Sequence, residues 1–331
     1  MKDILNRLIN HDVLPKEVAK QVLVNIAQGN YNTSQIAAFI TVYMMRSVPI
    51  EELEGFRDAM LELCLSIDLS AYNPVDLCGT GGDGKDTFNI STLASFVTAG
   101  AGVNVTKHGN YGVSSKCGSS NVMEFLGIKF SNDPGFLEKC IAETGICVLH
   151  APLFHPAMKN VAPIRKELGV KTFFNMLGPM INPAFPKNQM VGVFNLELAR
   201  MYGYLYQKTD KNFTVLHALD GYDEISLTGD TKTITNTSEG MLRPSDFGID
   251  TILQADITGG DSIEDSAKIF MDVLEGRGTV PQNNVVCANA GVAIATVKGI
   301  SPKEGFEEAK DALLSGRGLT VLRKLRALSN Q

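Results

Sequence analysis

Glycine is spread unevenly along this 331-residue chain, and that unevenness limits what the chain can fold into. Residues 1–78 contain only Gly29 and Gly55, whereas the 49 residues from Gly79 to Gly127 contain ten. Glycine reaches positive φ without steric penalty and lets a backbone approach another group closely. The opening segment is therefore expected to be one kind of structure and the next another. The length suggests about two domains at ~150 residues each, enough to bury a large core without covalent staples.

Over residues 1–70 the apolar spacing is helical. Ile36, Phe39, Ile40, Tyr43 and Met44 follow the i, i+3, i+4, i+7, i+8 pattern, with Thr33 or Ser34 as N-cap. Leu53, Phe56, Met60, Leu63 and Ile67 repeat it after Pro49, and Val18, Val22, Leu23 and Ile26 form another stripe that ends at Gly29. Short helices packing on each other, a small α domain, are predicted. At Val75-Asp76-Leu77-Cys78 the texture changes to a short apolar run ending in glycines, then a helix from Ser91 to about Ala99, then a β-like run at Val103-Asn104-Val105. Further strand-like runs lie at 146–149, 190–194 and 213–218, interrupted over about 155–183 by a helix (Met158, Val161, Ile164 and Leu168 on one face) and a Gly/Pro-rich loop. Amphipathic helices are predicted around 267–274, 285–295, 302–314 and 319–328. The alternation predicts an α/β domain over 71–331.

A formal net charge of −6 and a pI of about 5.5 give no global electrostatic reason to bind nucleic acid or an anionic membrane. No run of about 18 apolar residues could span a bilayer, and Met1-Lys2-Asp3-Ile4-Leu5-Asn6-Arg7 does not lead into a signal-peptide core. The expectation is a soluble, cytoplasmic protein. Cys64, Cys78, Cys117, Cys140, Cys147 and Cys287 show no pairwise zinc spacing and read as reduced, mostly buried thiols.

Four clusters carry chemistry. Gly79-Thr80-Gly81-Gly82-Asp83-Gly84 follows a predicted strand and reads as a phosphate loop or as a plain tight turn. It is neither a Walker A loop nor a dinucleotide fingerprint. Asn89-Ile90-Ser91-Thr92 opens a helix, where hydroxyls and free N–H groups suit an anion, although Ser91 could simply cap the helix. Lys107-His108-Gly109-Asn110, with Ser114-Ser115-Lys116 and Gly118-Ser119-Ser120-Asn121, supplies lysines, hydroxyls and glycines at the carboxyl edge of a parallel sheet, or else a solvated polar loop. Asp220-Gly221-Tyr222-Asp223-Glu224 places two carboxylates side by side. On a regular strand they would face opposite ways, so they share a site only through a turn or two ions.

Taken in order, GTGGD, NIST, KHGN with a following Ser-Ser and Gly-Ser, and the later Asp-Glu pair resemble the anthranilate phosphoribosyltransferase family. The segment from Arg165 to Pro179 and Asn182-Pro183 also match, so the resemblance covers nearly the whole chain. It implies transfer of the phosphoribosyl group of 5-phosphoribosyl 1-diphosphate (PRPP) to the amine of anthranilate, a step of tryptophan biosynthesis. It also implies a small helical domain (1–70, with a contribution from about 165–185) hinged to a larger α/β domain. That larger domain would have a central, mainly parallel sheet flanked by helices, as in nucleoside phosphorylases, and the protein would be a homodimer through the helical part. By the same resemblance Gly79, Gly82, Asp83 and Thr87 hold PRPP, together with Asn89, Ile90, Ser91 and Thr92 and with Lys107, Ser115 and Ser119. Ser91, Asp223 and Glu224 would contact one or two Mg²⁺ ions. Anthranilate would meet Gly79, His108, Asn110, Arg165 and Gly178. Lys107 and His108 are the catalytic candidates in a reaction driven by charge stabilisation.

Arg165 is expected to fix the anthranilate carboxylate, the alternative being an ion pair with Glu167. His108 could donate to that carboxylate or order its loop. His155 reads as lining or capping, and His11, His150 and His217 as structural. Tyr111, Asn121 and Lys171 depart from the commonest pattern, where Arg, an acidic residue and Arg stand. Two rivals remain: a pyrimidine nucleoside phosphorylase, against which NIST and the Asp-Glu pair count, and a nucleic-acid-binding relative, against which the pI counts.

Overall fold

The computed structural model describes residues 1–112 and 116–331. Four helices open the chain: α1 (Lys2–Ile9), α2 (Lys16–Ala27), α3 (Thr33–Met45) and α4 (Ile50–Glu62). The α3 cap lies one residue before the two expected: Asn32 accepts the Gln35 N–H at 2.9 Å while the Gln35 side chain accepts the Asn32 N–H. Gly55 explains itself in α4, because a Cβ there would lie 2.3 Å from the Lys16 carbonyl oxygen of α2.

A seven-stranded sheet follows, in the order β3-β2-β1-β4-β5-β6-β7. Its strands are β1 (Val75–Gly79), β2 (Val105–Gly109), β3 (Ile146–His150), β4 (Asn188–Gly192), β5 (Asn212–Ala218), β6 (Thr231–Thr235) and β7 (Glu239–Leu242). The first five pair in parallel, and β6 and β7 add antiparallel. The chain runs outward through β1, β2 and β3, then returns to lay β4 on the other side of β1. The order of strands reverses between β1 and β4, which is where an open α/β sheet leaves a crevice at its carboxyl ends.

Helices cover both faces. Between strands lie α5 (Ile90–Gly100), α6 (Ser119–Phe125), α7 (Pro134–Thr144), the single turn α8 (Ala151–Phe154), α9 (Ala162–Leu168) and α10 (Leu196–Gln207). After β7 come α11 (Ile263–Leu274), α12 (Val280–Lys298), α13 (Pro302–Leu314) and α14 (Arg317–Ser329). Side-chain alternation splits the core in two. Met190 and Leu216 face a cluster built from α5, α7 and α11–α14, whereas Val191 and Val215 face a cluster that contains α10 and the buried residues of α1–α4. The opening helices therefore share a core with one face of the sheet. Phe173 joins the two parts, its ring 4.7 Å from Phe56 and 6.0 Å from Phe39.

Several local expectations shift. β2 starts at Val105 rather than 103, and the single helix expected over 158–168 is a 3₁₀ turn at Pro156–Asn160 followed by α9. Strands β6 and β7, and helices α7 and α10, were not anticipated. β6 (TKTIT) is threonine-rich and β7 (EGML) is the exposed edge strand, so neither carries the apolar run that marks a buried parallel strand. No single helix among the described residues is long and apolar enough to cross a membrane.

The α12–α13 contact depends on two glycines. A Cβ on Gly291 would lie 2.5 Å from the Phe306 nitrogen, and one on Gly305 2.1 Å from the Gly291 carbonyl oxygen. Gly291→Ala gains about 1 kcal/mol of helix propensity but must force two backbones apart, an overpacking cost that reaches about 3 kcal/mol. The expected outcome is a net loss of unfolding free energy in a urea titration, and an unchanged midpoint would contradict this account.

Candidate active site

At the carboxyl end of β1 the chain enters the glycine loop. Gly81, Gly82 and Gly84 take φ of +68°, +79° and +75°, and Thr80 N–H donates to the Gly192 carbonyl of β4 at 2.9 Å. The loop therefore bridges the two strands at the switch point. Asp223 is pressed into the same crevice from the loop after β5. A Cβ on Gly192 would lie 1.6 Å from the Asp223 carbonyl oxygen, and one on Gly79 2.3 Å from Asp223 Oδ2. That carboxylate oxygen accepts the Gly81 N–H at 2.6 Å. Residues 219–230 form a turn-rich loop, so Asp223 and Glu224 escape strand alternation and reach one site.

Glu224 Oε1 accepts the Ser91 N–H at the start of α5 at 3.2 Å. Ser91 is inside that helix, not its cap; Asn89 is the N-cap, and its side-chain amide donates instead to the Cys117 carbonyl at 3.1 Å. Lys107 is buried and donates to the Leu77 carbonyl at 2.6 Å and to Ser91 Oγ at 3.3 Å. Burial pushes the Asp223 carboxyl well above its ordinary range, and the charges of Asp83 and Glu224 push it further. Burial likewise raises Glu224, against the pull of Lys107 and the Ser91 hydrogen bonds. Crowded, desolvated carboxylates with one fixed ammonium beside them suit a hard divalent cation.

The opposite wall is different in character. His108 Nδ1 lies 3.2 Å from the Gly178 carbonyl oxygen, which can only accept, so Nδ1 carries the proton and Nε2 keeps its lone pair. Nε2 is buried without a partner. In this tautomer His108 presents an acceptor, not a donor, to the cavity, while its Nδ1–H ties it to the Gly178 segment. Its ring sits 5.2 Å from that of His155, centroid to centroid. Burial first, then the neighbouring His155, drive the His108 pKa well below its usual value, and burial lowers His155 to about 4. Arg165 makes no ion pair with Glu167. It donates to Asn175 Oδ1 at 3.3 Å and lies 5.3 Å over the Phe174 ring, while its Nε is buried and unpartnered.

One cavity of about 740 Å³ is lined by every residue that the family resemblance places in the site except Ser115, which falls outside the described residues; Lys116, Ser120 and Asn121 of the lysine-rich loop do not line it. Buried polar atoms without partners gather here too: Thr80 Oγ1, Asn89 Oδ1, His108 Nε2, both His155 ring nitrogens and Arg165 Nε. Such groups are costly to bury unmade and mark the cavity as built for a polar ligand. Sequence reasoning missed Lys171 and Met60 in the lining. Asp220 stays outside, its carboxylate bonded to Thr228. His150 pairs with Ser120 Oγ at 2.8 Å and His217 with the Val193 carbonyl at 2.8 Å, both structural roles.

Models of a glycosyl transferase family match the chain twice: its helical bundle domain over residues 2–64 and its a/b domain over residues 71–319. An anthranilate phosphoribosyltransferase of Flavobacterium psychrophilum is 74% identical over 99% of this chain and 100% of its own length. A crystal structure of an anthranilate phosphoribosyltransferase from Thermus thermophilus superposes with a TM-score of 0.91 at 32% identity, covering 99% of each chain. The Saccharomyces cerevisiae enzyme of that name, solved in complex with PRPP and Mg, superposes with a TM-score of 0.90 at 25% identity, covering 98% of this chain and 96% of that one. With the glycine loop, the carboxylate pair and the histidine wall sharing one cavity, and with likeness along its full length, this chain belongs to the anthranilate phosphoribosyltransferase family.

Proposed function

We propose that the cavity holds PRPP against the glycine loop and anthranilate against the histidine wall, and that its two walls divide the chemistry between them. The chain transfers the phosphoribosyl group of PRPP to the amine of anthranilate, giving N-(5-phosphoribosyl)anthranilate and diphosphate. The observation that carries the residue assignment is the meeting, at the β1/β4 switch point, of loop glycines, Lys107 and the Asp223–Glu224 pair in the same cavity as Arg165 and His108.

In the displacement the anomeric C–O bond to diphosphate breaks, its electron pair leaves with diphosphate, the amine lone pair forms the new C–N bond, and the substituted nitrogen then sheds one proton to the departing diphosphate or to solvent. Negative charge grows on the leaving group, so groups fixed beforehand around it contribute most. Lys107, anchored by Leu77 and Ser91, gives a point charge, while the glycine loop and the α5 start with Asn89, Ser91 and Thr92 give N–H and hydroxyl donors. Ser91, Asp223 and Glu224, with Asp83 beside them, would hold Mg²⁺, which when bound neutralises diphosphate charge. Arg165 fixes the anthranilate carboxylate, and His108 Nε2 accepts from its amine and aims it. That aromatic amine is already neutral at pH 7, so no strong base is required. The apolar residues Ile9, Val13, Met44 and Met45, exposed on and just after α1 and α3, support a homodimer through the helical part. Six unpaired cysteines support a reducing, cytoplasmic setting.

Loss of anthranilate fluorescence on adding PRPP and Mg²⁺ tests the activity directly; turnover only with another aromatic amine would overturn the acceptor assignment. Asp223→Asn with Glu224→Gln should cut Mg²⁺-dependent turnover by more than about a hundredfold. Its melting temperature should hold, because the amides relieve repulsion between desolvated charges. Retained activity would sink the metal assignment. Arg165→Ala should raise the KM for anthranilate about tenfold or more while leaving that for PRPP nearly unchanged, and equal effects on both would show the arginine misassigned. His155, lowered when folded, binds its proton more readily in the unfolded chain. Stability is therefore complete above about pH 6.5 and falls as pH drops toward about 4. Urea midpoints for His155→Gln should show a shallower acid slope than those for the parent chain; parallel slopes would reject the buried neutral imidazole.

A further inference from the structure

Lys171 stands between α9 and the 3₁₀ turn Phe173–Met176, on the wall that packs with the opening helices. Phe173 and Phe174 beside it are buried in that shared core. Its own side chain leaves the core and crosses the mouth of the cavity to the glycine loop. There Nζ donates to the Gly82 carbonyl, and a Cβ on Gly82 would lie 3.4 Å from both Lys171 Cδ and Cε. The loop is thus held from two sides: Gly192 and Asp223 bond it from the sheet, and Lys171 covers it from across the cleft.

The two lysines differ in what they can still do. Lys107 is buried, with its ammonium committed to Leu77 and Ser91. Lys171 is exposed, and an ammonium carries three donors, of which the Gly82 carbonyl takes one. Its flexible stem lets the remaining charge follow an anion placed on the loop. The stretch that carries it also carries Arg165, so both walls of the cavity are addressed from one short segment.

We infer that Lys171 is a positioning residue for the phosphoribosyl donor: it clamps the glycine loop from the opposite wall and turns its free donors to the diphosphate. The inference rests on the reading of this cavity as the PRPP site. Lys171→Met keeps the stem over Gly82 and removes the ammonium, whereas Lys171→Arg keeps the charge. Mg²⁺-PRPP is titrated calorimetrically into each protein without anthranilate, and steady-state rates are measured with both substrates varied. Lys171→Met should weaken PRPP binding and raise the KM for PRPP about tenfold, with kcat and the KM for anthranilate within about twofold of the parent. Lys171→Arg should recover most of the loss. A parent chain that binds PRPP beside an unaltered Lys171→Met variant overturns the assignment of Lys171 alone. Equal loss for both substrates, unrescued by arginine, also overturns it, since that marks a merely structural segment. A parent chain that takes up no PRPP overturns the reading of the cavity, and the clamp with it.

Discussion

The close passage of Asp223 between the ends of β1 and β4 organises the rest of the site. Two positions without side chains, Gly79 and Gly192, make room for it, and the Gly81 N–H holds its carboxylate. The arrangement costs stability, because burial and like charge oppose ionisation of Asp223 and Glu224. Hydrogen bonds from Gly81 and Ser91 and the nearby Lys107 charge offset part of that cost. A fold that keeps desolvated carboxylates at its switch point is storing unfavourable electrostatics at a functional position, a trade common to binding sites.

The histidine wall is stabilised by different means. The segment that carries Gly178 is tied down by Tyr202 Oη donating to the Met176 carbonyl at 2.5 Å, by Gln189 donating to the Pro179 carbonyl, and by Asn182 donating to the Thr106 carbonyl at 2.9 Å. These bonds fix the carbonyl that sets the His108 tautomer. A buried amide deep in the sheet thus helps decide which His108 ring nitrogen faces the cavity.

The three departures from the common family pattern have physical accounts. Asn121 accepts the Gly118 and Gly112 N–H groups at 3.0 and 2.9 Å, which an amide oxygen does as well as a carboxylate. Tyr111 sets its ring edge against His150 and its hydroxyl 3.3 Å from Glu124, and it lines the rim of the cavity beside Asn110 and Gly112. Lys171 reaches across the cavity to the glycine loop, and nothing in its local sequence announces this. The contact joins positions 89 residues apart, and the Gly82 φ that permits it is set by the loop.

Motif order, helical periodicity in 1–70 and the strand-like runs were legible because they are local: a glycine loop after a strand and a hydroxyl-rich helix start are each written in consecutive residues. Strands β6 and β7 were not legible, because β6 is built of threonines with one apolar residue and β7 is an exposed edge, so neither shows an apolar run. The sequence by itself determined the class of fold, the family and the candidate residues along the glycine loop. Tertiary structure alone decided that Asp223 and Glu224 share a site, that His108 accepts rather than donates, that Arg165 is free of Glu167, and that Lys171 spans the cleft. Each of those depends on burial or on a partner distant in the chain, and neither is encoded in spacing.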